Sequence, residues 1–353
     1  MATYTAPPYI APWFLRNGFA MTVYFAWVAS SNWRSRTVNP EPSYTDHIFT
    51  GASEVPIYGI LAKPDHSPCK GTIIGTYGIT GDLDNQWFLR ILGRKAIARH
   101  YAVVLFDWRA HGKTAQLSPT LTSDGLYEGD DFVRIAAQAK ALGYPAPFWL
   151  VGYSLGGQLA LWGVKAAQSI DADVALESED IAGGAVVCPS VDSNRSLRYL
   201  MQHPVGKYVE KAIAAELKRL ARRLHTYHPS AIDPDAIERA NSIWGFDHEL
   251  VIERLGLNSV EEYYTISSAL PFLPQLHKNT LILYAEDDPL FSPELIPELQ
   301  QICSETPALD LVMTRHGGHV GYLSSQRGQQ QADDPDPWWA WNRVLDWIDY
   351  HSA

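Results

Sequence analysis

The sequence predicts an α/β protein: a mostly parallel central sheet flanked by helices on both faces, with a helical cap inserted into it. Three observations lead there. Short, continuously apolar β-type runs alternate with segments of helical spacing along most of the chain, the pattern of strands covered on both faces. The alternation stops over residues 190–278, a long interval that is mostly helical in pattern and has no clear buried strand. Finally, Gly152-Tyr153-Ser154-Leu155-Gly156 joins an apolar run to a helix-like one, the setting of a sharp strand-to-helix turn.

Bulk properties narrow the function classes. At 353 residues, 46% of them apolar, the chain can bury a large core. Its formal net charge of -11 disfavours a nucleic-acid partner, because a phosphate backbone needs a basic footprint. Cys69, Cys188 and Cys303 are far apart and form no CxxC, so neither a disulfide framework nor a zinc site is expected, and a reducing, cytoplasmic setting fits best.

The elements follow in order. Residues 1–45 form an N-terminal arm whose apolar run 19–29 lies between Arg16 and Arg34. Eleven residues fall short of the roughly 20 that span a bilayer. The run reads as a packed arm, with peripheral membrane contact as the second reading and an export signal as the third. Residues 46–189 make the first part of the core: strands 56–62 and 71–77, helix 84–100, strand 102–108, helix 126–142, strand 147–153, helix 155–168 and strand 181–188. The cap, 190–278, is expected over the carboxyl end of the sheet, where open α/β sheets bind ligands. Within it, 207–225 reads as a helix with Val209, Ile213, Leu217, Leu220 and Leu224 on one face and six lysines and arginines elsewhere. That helix suits a solvated lid, or alternatively contact with an anionic membrane surface. Residues 279–353 complete the core with strands 280–285 and 308–314 and helices 293–304 and 336–351.

Ser154 is the candidate nucleophile. In a strand–turn–helix, flanking glycines let strand and helix approach while the turn lifts the hydroxyl above the sheet. A serine hydroxyl needs a base to take its proton. In this motif's chain order an acid and then a histidine follow. The loop after strand 308–314 offers His316 and His319, and the loop after strand 280–285 offers Glu286, Asp287 and Asp288. No histidine lies beside those acids in the sequence, so they are not expected to hold a metal. An oxyanion hole would use the backbone N–H of Leu155 and, from the glycine-rich loop 76–82, that of Ile79. That loop lacks the spacing of a phosphate cradle, and no cofactor is expected. Asp107, Arg109 and His111 precede the serine and read as a structural turn, Arg109 and His111 satisfying nearby backbone or carboxylates. Tyr77, Tyr153, Phe246, Tyr263 and Tyr264 are the candidate pocket residues, and Trp244 and Phe272 add to the apolar character of the cap.

Taken together, the motifs resemble the α/β-hydrolase superfamily, and within it the YheT-like branch that includes the plant embryogenesis-associated hydrolases. The resemblance rests on PWFLRNGFAMT (12–22), GITG (78–81), DWRAHG (107–112), GYSLGG (152–157), the stretch 246–293 and HGGHVGY (316–322). It implies Ser154 as nucleophile, Asp288, the aspartate before Pro289, as the acid, and His319 as the base. Tyr77, Gln158 and Asn279 stand where the family often has histidine, asparagine and proline. The implied activity is a cofactor-independent serine hydrolase of carboxylic esters, with short- to medium-chain esters or acylglycerols as the small-molecule substrates of lipid metabolism. An alcohol O-acyltransferase using the same acyl-enzyme and a non-catalytic ligand-binding protein on this fold are the alternatives.

Overall fold

The computed structural model describes residues 4–38, 40–65 and 68–352; the extreme ends of the predicted arm and of the last core segment lie outside them. Eight strands form one sheet in the order β1-β2-β4-β3-β5-β6-β7-β8. They are β1 Thr45–Thr50, β2 Pro56–Ala62, β3 Thr72–Thr76, β4 Ala102–Phe106, β5 Phe148–Tyr153, β6 Ile181–Val187, β7 Asn279–Ala285 and β8 Leu309–Thr314. β1 and β2 pair antiparallel, as do β2 and β4, and every other neighbouring pair is parallel. β3 to β7 are buried almost throughout, because helices cover both faces.

The main helices are α1 Gly18–Tyr24, α2 Trp87–Ala98, α3 Glu128–Ala141, α4 Leu155–Ala166, α5 Ser193–Gln202, α6 Pro204–Tyr227, α7 Val260–Ser267, α8 Leu295–Glu305 and α9 Trp339–Ser352. Successive residues of β5 show how they divide. Trp149 packs edge-on against Trp347 of α9, while Leu150 meets α4 at Gly163. Side chains alternate across a strand, so α9 and α4 cover opposite faces.

β1 is missing from the sequence reading. Only Phe49 of its six residues is buried and Ile48 is exposed, so the strand carries no apolar run to detect. It exists because β2 offers an antiparallel edge, with Thr45–Thr50 in register against Leu61–Pro56.

Between β6 and β7 the described residues are helical or irregular, and a second apolar cluster of Leu217, Leu220, Leu224, Phe246, Tyr263 and Tyr264 forms apart from the sheet core. Helix α6 is longer than expected and its buried face is wider than the expected stripe. Leu217, Leu220 and Leu224 are buried, Glu210, Ala214 and Ala221 are buried beside them, and Val209 and Ile213 are half-buried. The Glu210 carboxylate accepts the backbone N–H of Ile243, the first residue of the short helix Ile243–Phe246. Half of the lysines and arginines on α6 have carboxylate partners: Lys218 and Arg222 share Glu238, and Arg219 pairs with Glu216.

The inner side of the arm packs on the core. Met21, Phe25, Ala29 and Trp33 are buried at every fourth position, and Phe25 contacts the rings of Trp87, Phe88 and Trp341. No helix among the described residues is long and apolar enough to cross a membrane.

Beneath the sheet edge, Arg109 forms a buried bidentate pair with Asp131 at 2.7 and 2.8 Å, and Asp131 also accepts the N–H of Ala52. Removing one partner of such a pair strands a charge in the core. Arg109→Ala is therefore expected to cost about 3–5 kcal/mol in a urea titration. Arg134→Ala, which breaks an ion pair to the exposed Asp173, is expected to cost less than about 1 kcal/mol.

Candidate active site

Four loops at the carboxyl ends of β3, β5, β7 and β8 converge, because these strands run parallel. Ser154 lies between β5 and α4 with φ 55° and ψ −126°, a strained conformation for a residue with a side chain. Neighbouring contacts hold it there. Its N–H donates to Val187, and its carbonyl accepts the N–H of Gly157. A Cβ at Gly152 would sit 2.0 Å from the Gly156 oxygen, and one at Gly156 would sit 2.2 Å from the Tyr77 oxygen. Only hydrogen at these two positions permits the approach.

Ser154 Oγ lies 2.8 Å from His319 Nε2, and His319 Nδ1 lies 2.8 Å from Asp288 Oδ2. Asp288 is 5% exposed and its second oxygen accepts the N–H of Leu290. The neighbouring candidates lie elsewhere. Asp287 pairs with His316 Nδ1 at 3.2 Å and accepts the N–H of Gly318, so this second acid–histidine pair ties the two loops together without reaching the serine. Glu286 is exposed. The arm contributes a contact with no sequence signal: Thr22 Oγ1 accepts the backbone N–H of His319 at 2.8 Å. Gly18 of the same helix is packed so closely on Asp287 that a Cβ would overlap its carbonyl.

On the other side, Gly78 touches Ser154, bringing the loop that contains Ile79 beside the hydroxyl. Both Leu155 and Ile79 border the cavity at Ser154. His111 holds this loop. Burial pushes its pKa down to about 3, so the ring is neutral. Its Nδ1 is bonded to the Arg109 carbonyl at 2.8 Å, leaving Nε2 to accept the N–H of Thr80, which has φ 63°. The ring stacks on Trp108 at 3.6 Å.

Three of the five candidate pocket residues lie elsewhere. Tyr77 is fully buried and its hydroxyl donates to Asp107 at 2.5 Å, pointing away from the cavity into the core. Tyr153 is fully buried against Phe88 and Trp341, because alternation along β5 turns it to the face opposite the serine turn. Tyr263 is buried within the cap cluster. Phe246 and Tyr264 do line the cavity, together with leucines such as Leu121, Leu197 and Leu217, the aromatic rings of Trp108 and Phe291, and the hydroxyls of Ser190, Ser193 and Ser196. Trp244 lies on the outer surface, hydrogen-bonded to Glu261, and Phe272 packs under Trp162.

Two acids in this apolar cavity carry no sequence signal. Asp124 and Asp247 both line it. Burial raises Asp124 to about 7, with Glu128 adding to the rise. Burial also holds Asp247 well above the carboxylate range, and the charge of Asp124 pushes it further; Tyr264 donates to its Oδ2 at 2.6 Å. Gln158 secures this wall by donating to the carbonyls of Asp124 and Ser267, joining α4 to the cap.

Cys188, Asp288 and His319 place one possible ligand atom each within 4.8 Å of one another. The donor set does not suit a metal. The Cys188 thiol is kept protonated by burial and is bonded to the Gly318 carbonyl, while Asp288 and His319 are bonded to each other.

Comparison with known proteins agrees with this architecture. Residues 72–326 match the family model described as the alpha/beta hydrolase fold. A provisionally named esterase of Synechocystis sp. is 56% identical over 98% of this chain and 95% of its own length. The provisionally named esterase YheT of Escherichia coli is 27% identical over 58% of this chain and 55% of its own length, and the monoacylglycerol lipase of Saccharomyces cerevisiae is 24% identical over 77% and 59%. Among solved structures, the Pyrococcus furiosus esterase Pf2001 superposes with a TM-score of 0.56 at 16% identity, covering 98% of this chain and 97% of that one, a likeness of fold. The chain is thus an esterase-like member of the α/β-hydrolase fold family, to which it belongs on the YheT-like side.

Proposed function

We propose that this protein hydrolyses carboxylic esters through an acyl-enzyme on Ser154. The observation that carries the reading is the continuous hydrogen-bonded chain from Ser154 Oγ through His319 to Asp288, beside an apolar cavity. As Ser154 Oγ attacks the ester carbonyl, His319 Nε2 takes its proton, and the imidazolium that forms is stabilised by Asp288. The carbonyl oxygen becomes an oxyanion within reach of the Leu155 and Ile79 N–H groups, with the amino end of α4 adding a favourable dipole. His319 then protonates the departing alcohol. Water, deprotonated by His319, attacks the acyl group and releases the acid, returning the proton to Ser154.

The largely apolar cavity wall supports an acyl chain of short to medium length, and the esterase and monoacylglycerol lipase names of the relatives are consistent with an ester or acylglycerol substrate. Asp124 and Asp247 lie where a charged chain would be sensed.

Three measurements test the reading. Ser154→Ala is expected to lose fluorophosphonate labelling and about 10⁴-fold or more of kcat on an ester panel. A wild type that neither labels nor hydrolyses any of these esters overturns the proposal. His319→Ala should match that loss, whereas His316→Ala, which breaks only the Asp287 tie, should retain far more activity; equal losses would contradict the choice of base. The third concerns pH. Burial raises Asp124 to about 7, so negative charge grows at this wall as pH rises through the neutral range. Hydrolysis of an ester whose acyl chain ends in a carboxylate should therefore fall, relative to a neutral ester, as pH rises from about 6 to about 8. Asp124→Asn should flatten that fall.

A further inference from the structure

The helix that holds His319 from behind has an unusual outer side. Between Gly18 and Ala29 no side chain is charged, and Thr22 faces the active-site loop. A helix apolar all round is normally buried. Here the inward stripe of Met21, Phe25 and Ala29 is covered, but Phe19 and Trp27 are exposed, the latter by 74%. Trp13, at 80%, and Phe14 continue the apolar side, and ring contacts join Trp13 to Phe14 and Phe14 to Tyr24. This is one contiguous surface, since residues three and four apart on a helix are neighbours.

Charge selects the occupant. The chain has a formal net charge of -11, yet residues 1–40 contain Arg16, Arg34 and Arg36 and not one carboxylate. All three arginines are exposed. Trp13 and Arg36 border one broad groove together with Arg327, and the carboxylate in that groove, Asp336, is already paired with Lys95. A second copy docked on this surface about a two-fold axis would set arginines against arginines. An anionic lipid surface would meet them with phosphates while the indole rings enter the interfacial layer, where tryptophan and tyrosine are favoured.

We propose that the outer side of the N-terminal arm docks the protein peripherally on anionic membranes, with Trp13, Phe14, Phe19 and Trp27 inserted and Arg16, Arg36 and Arg327 against phosphate groups. The docking face and the support of His319 are then two sides of one helix, about 10 Å apart. The cap helix α6 is the weaker candidate, because half of its cations already have carboxylate partners.

Co-sedimentation with vesicles tests this. The wild type is expected to bind vesicles of phosphatidylcholine mixed with phosphatidylglycerol, to bind phosphatidylcholine alone much less, and to be released by high salt. Trp13→Ser/Trp27→Ser and Arg16→Gln/Arg36→Gln should each weaken binding roughly tenfold or more. Circular dichroism and the thermal midpoint should stay those of the wild type, so the result is independent of any ester hydrolysis. Failure of the wild type to bind mixed vesicles overturns the proposal, as does undiminished binding by both variants. A concentration-dependent dimer that the tryptophan variant abolishes and vesicles leave intact would assign the surface to a second copy instead.

Discussion

The backbone of Ser154 is the constraint on which the surrounding structure depends. A residue with a side chain held at φ 55° and ψ −126° relaxes unless its neighbours prevent it. Here β5 is clamped between β3 and β6, and α4 leaves the turn at once, approaching so closely that Gly152 and Gly156 admit no Cβ. The same closeness brings Gly78 onto Ser154 and so fixes the position of the loop carrying Ile79. Strain at one residue is thereby shared among three strands and a helix.

Around that turn the supports are layered. His111, neutral because it is buried, uses one nitrogen on its own loop and the other on Thr80. Opposite, two acid–histidine pairs run side by side, Asp288 with His319 and Asp287 with His316. They look alike in sequence and differ in position: one reaches Ser154, while the other stitches the β7 and β8 loops. Thr22 and Gly18 then close the back of the His319 loop from a segment nearly 300 residues earlier in the chain. The arm is therefore part of the site's scaffold as well as a surface feature.

The cap and the core are joined by directed hydrogen bonds as well as apolar packing. Gln158 and Trp162, both on α4, donate to the Ser267 carbonyl at the end of α7. Asp124 and Asp247 face the same cavity from core and cap. Their burial favours the neutral form of both acids.

Periodicity and motif order made most of the architecture legible. Strands buried on both faces leave continuous apolar runs, so the spacing predicts β2 to β8 to within about two residues, a precision usual for element ends. The G-x-S-x-G stretch and its order before an acid and a histidine marked Ser154 and reduced the partners to a few candidates, and only the family resemblance chose Asp288 and His319 among them. What stayed hidden depends on three-dimensional neighbours. β1 lacks an apolar run because it is a half-exposed edge. Tyr77, Tyr153 and Tyr263 look like pocket residues by type, but strand alternation and cap packing turn them into the core. Thr22, Asp124 and Asp247 carry no local pattern, because their roles come from contacts between segments far apart in the chain. Sequence by itself determined the buried strands and the residue types that can do the chemistry, since those follow from local spacing and residue type. The tertiary structure decided the exposed edge strand and which side chains share the cavity, since distances across the sheet are set by packing.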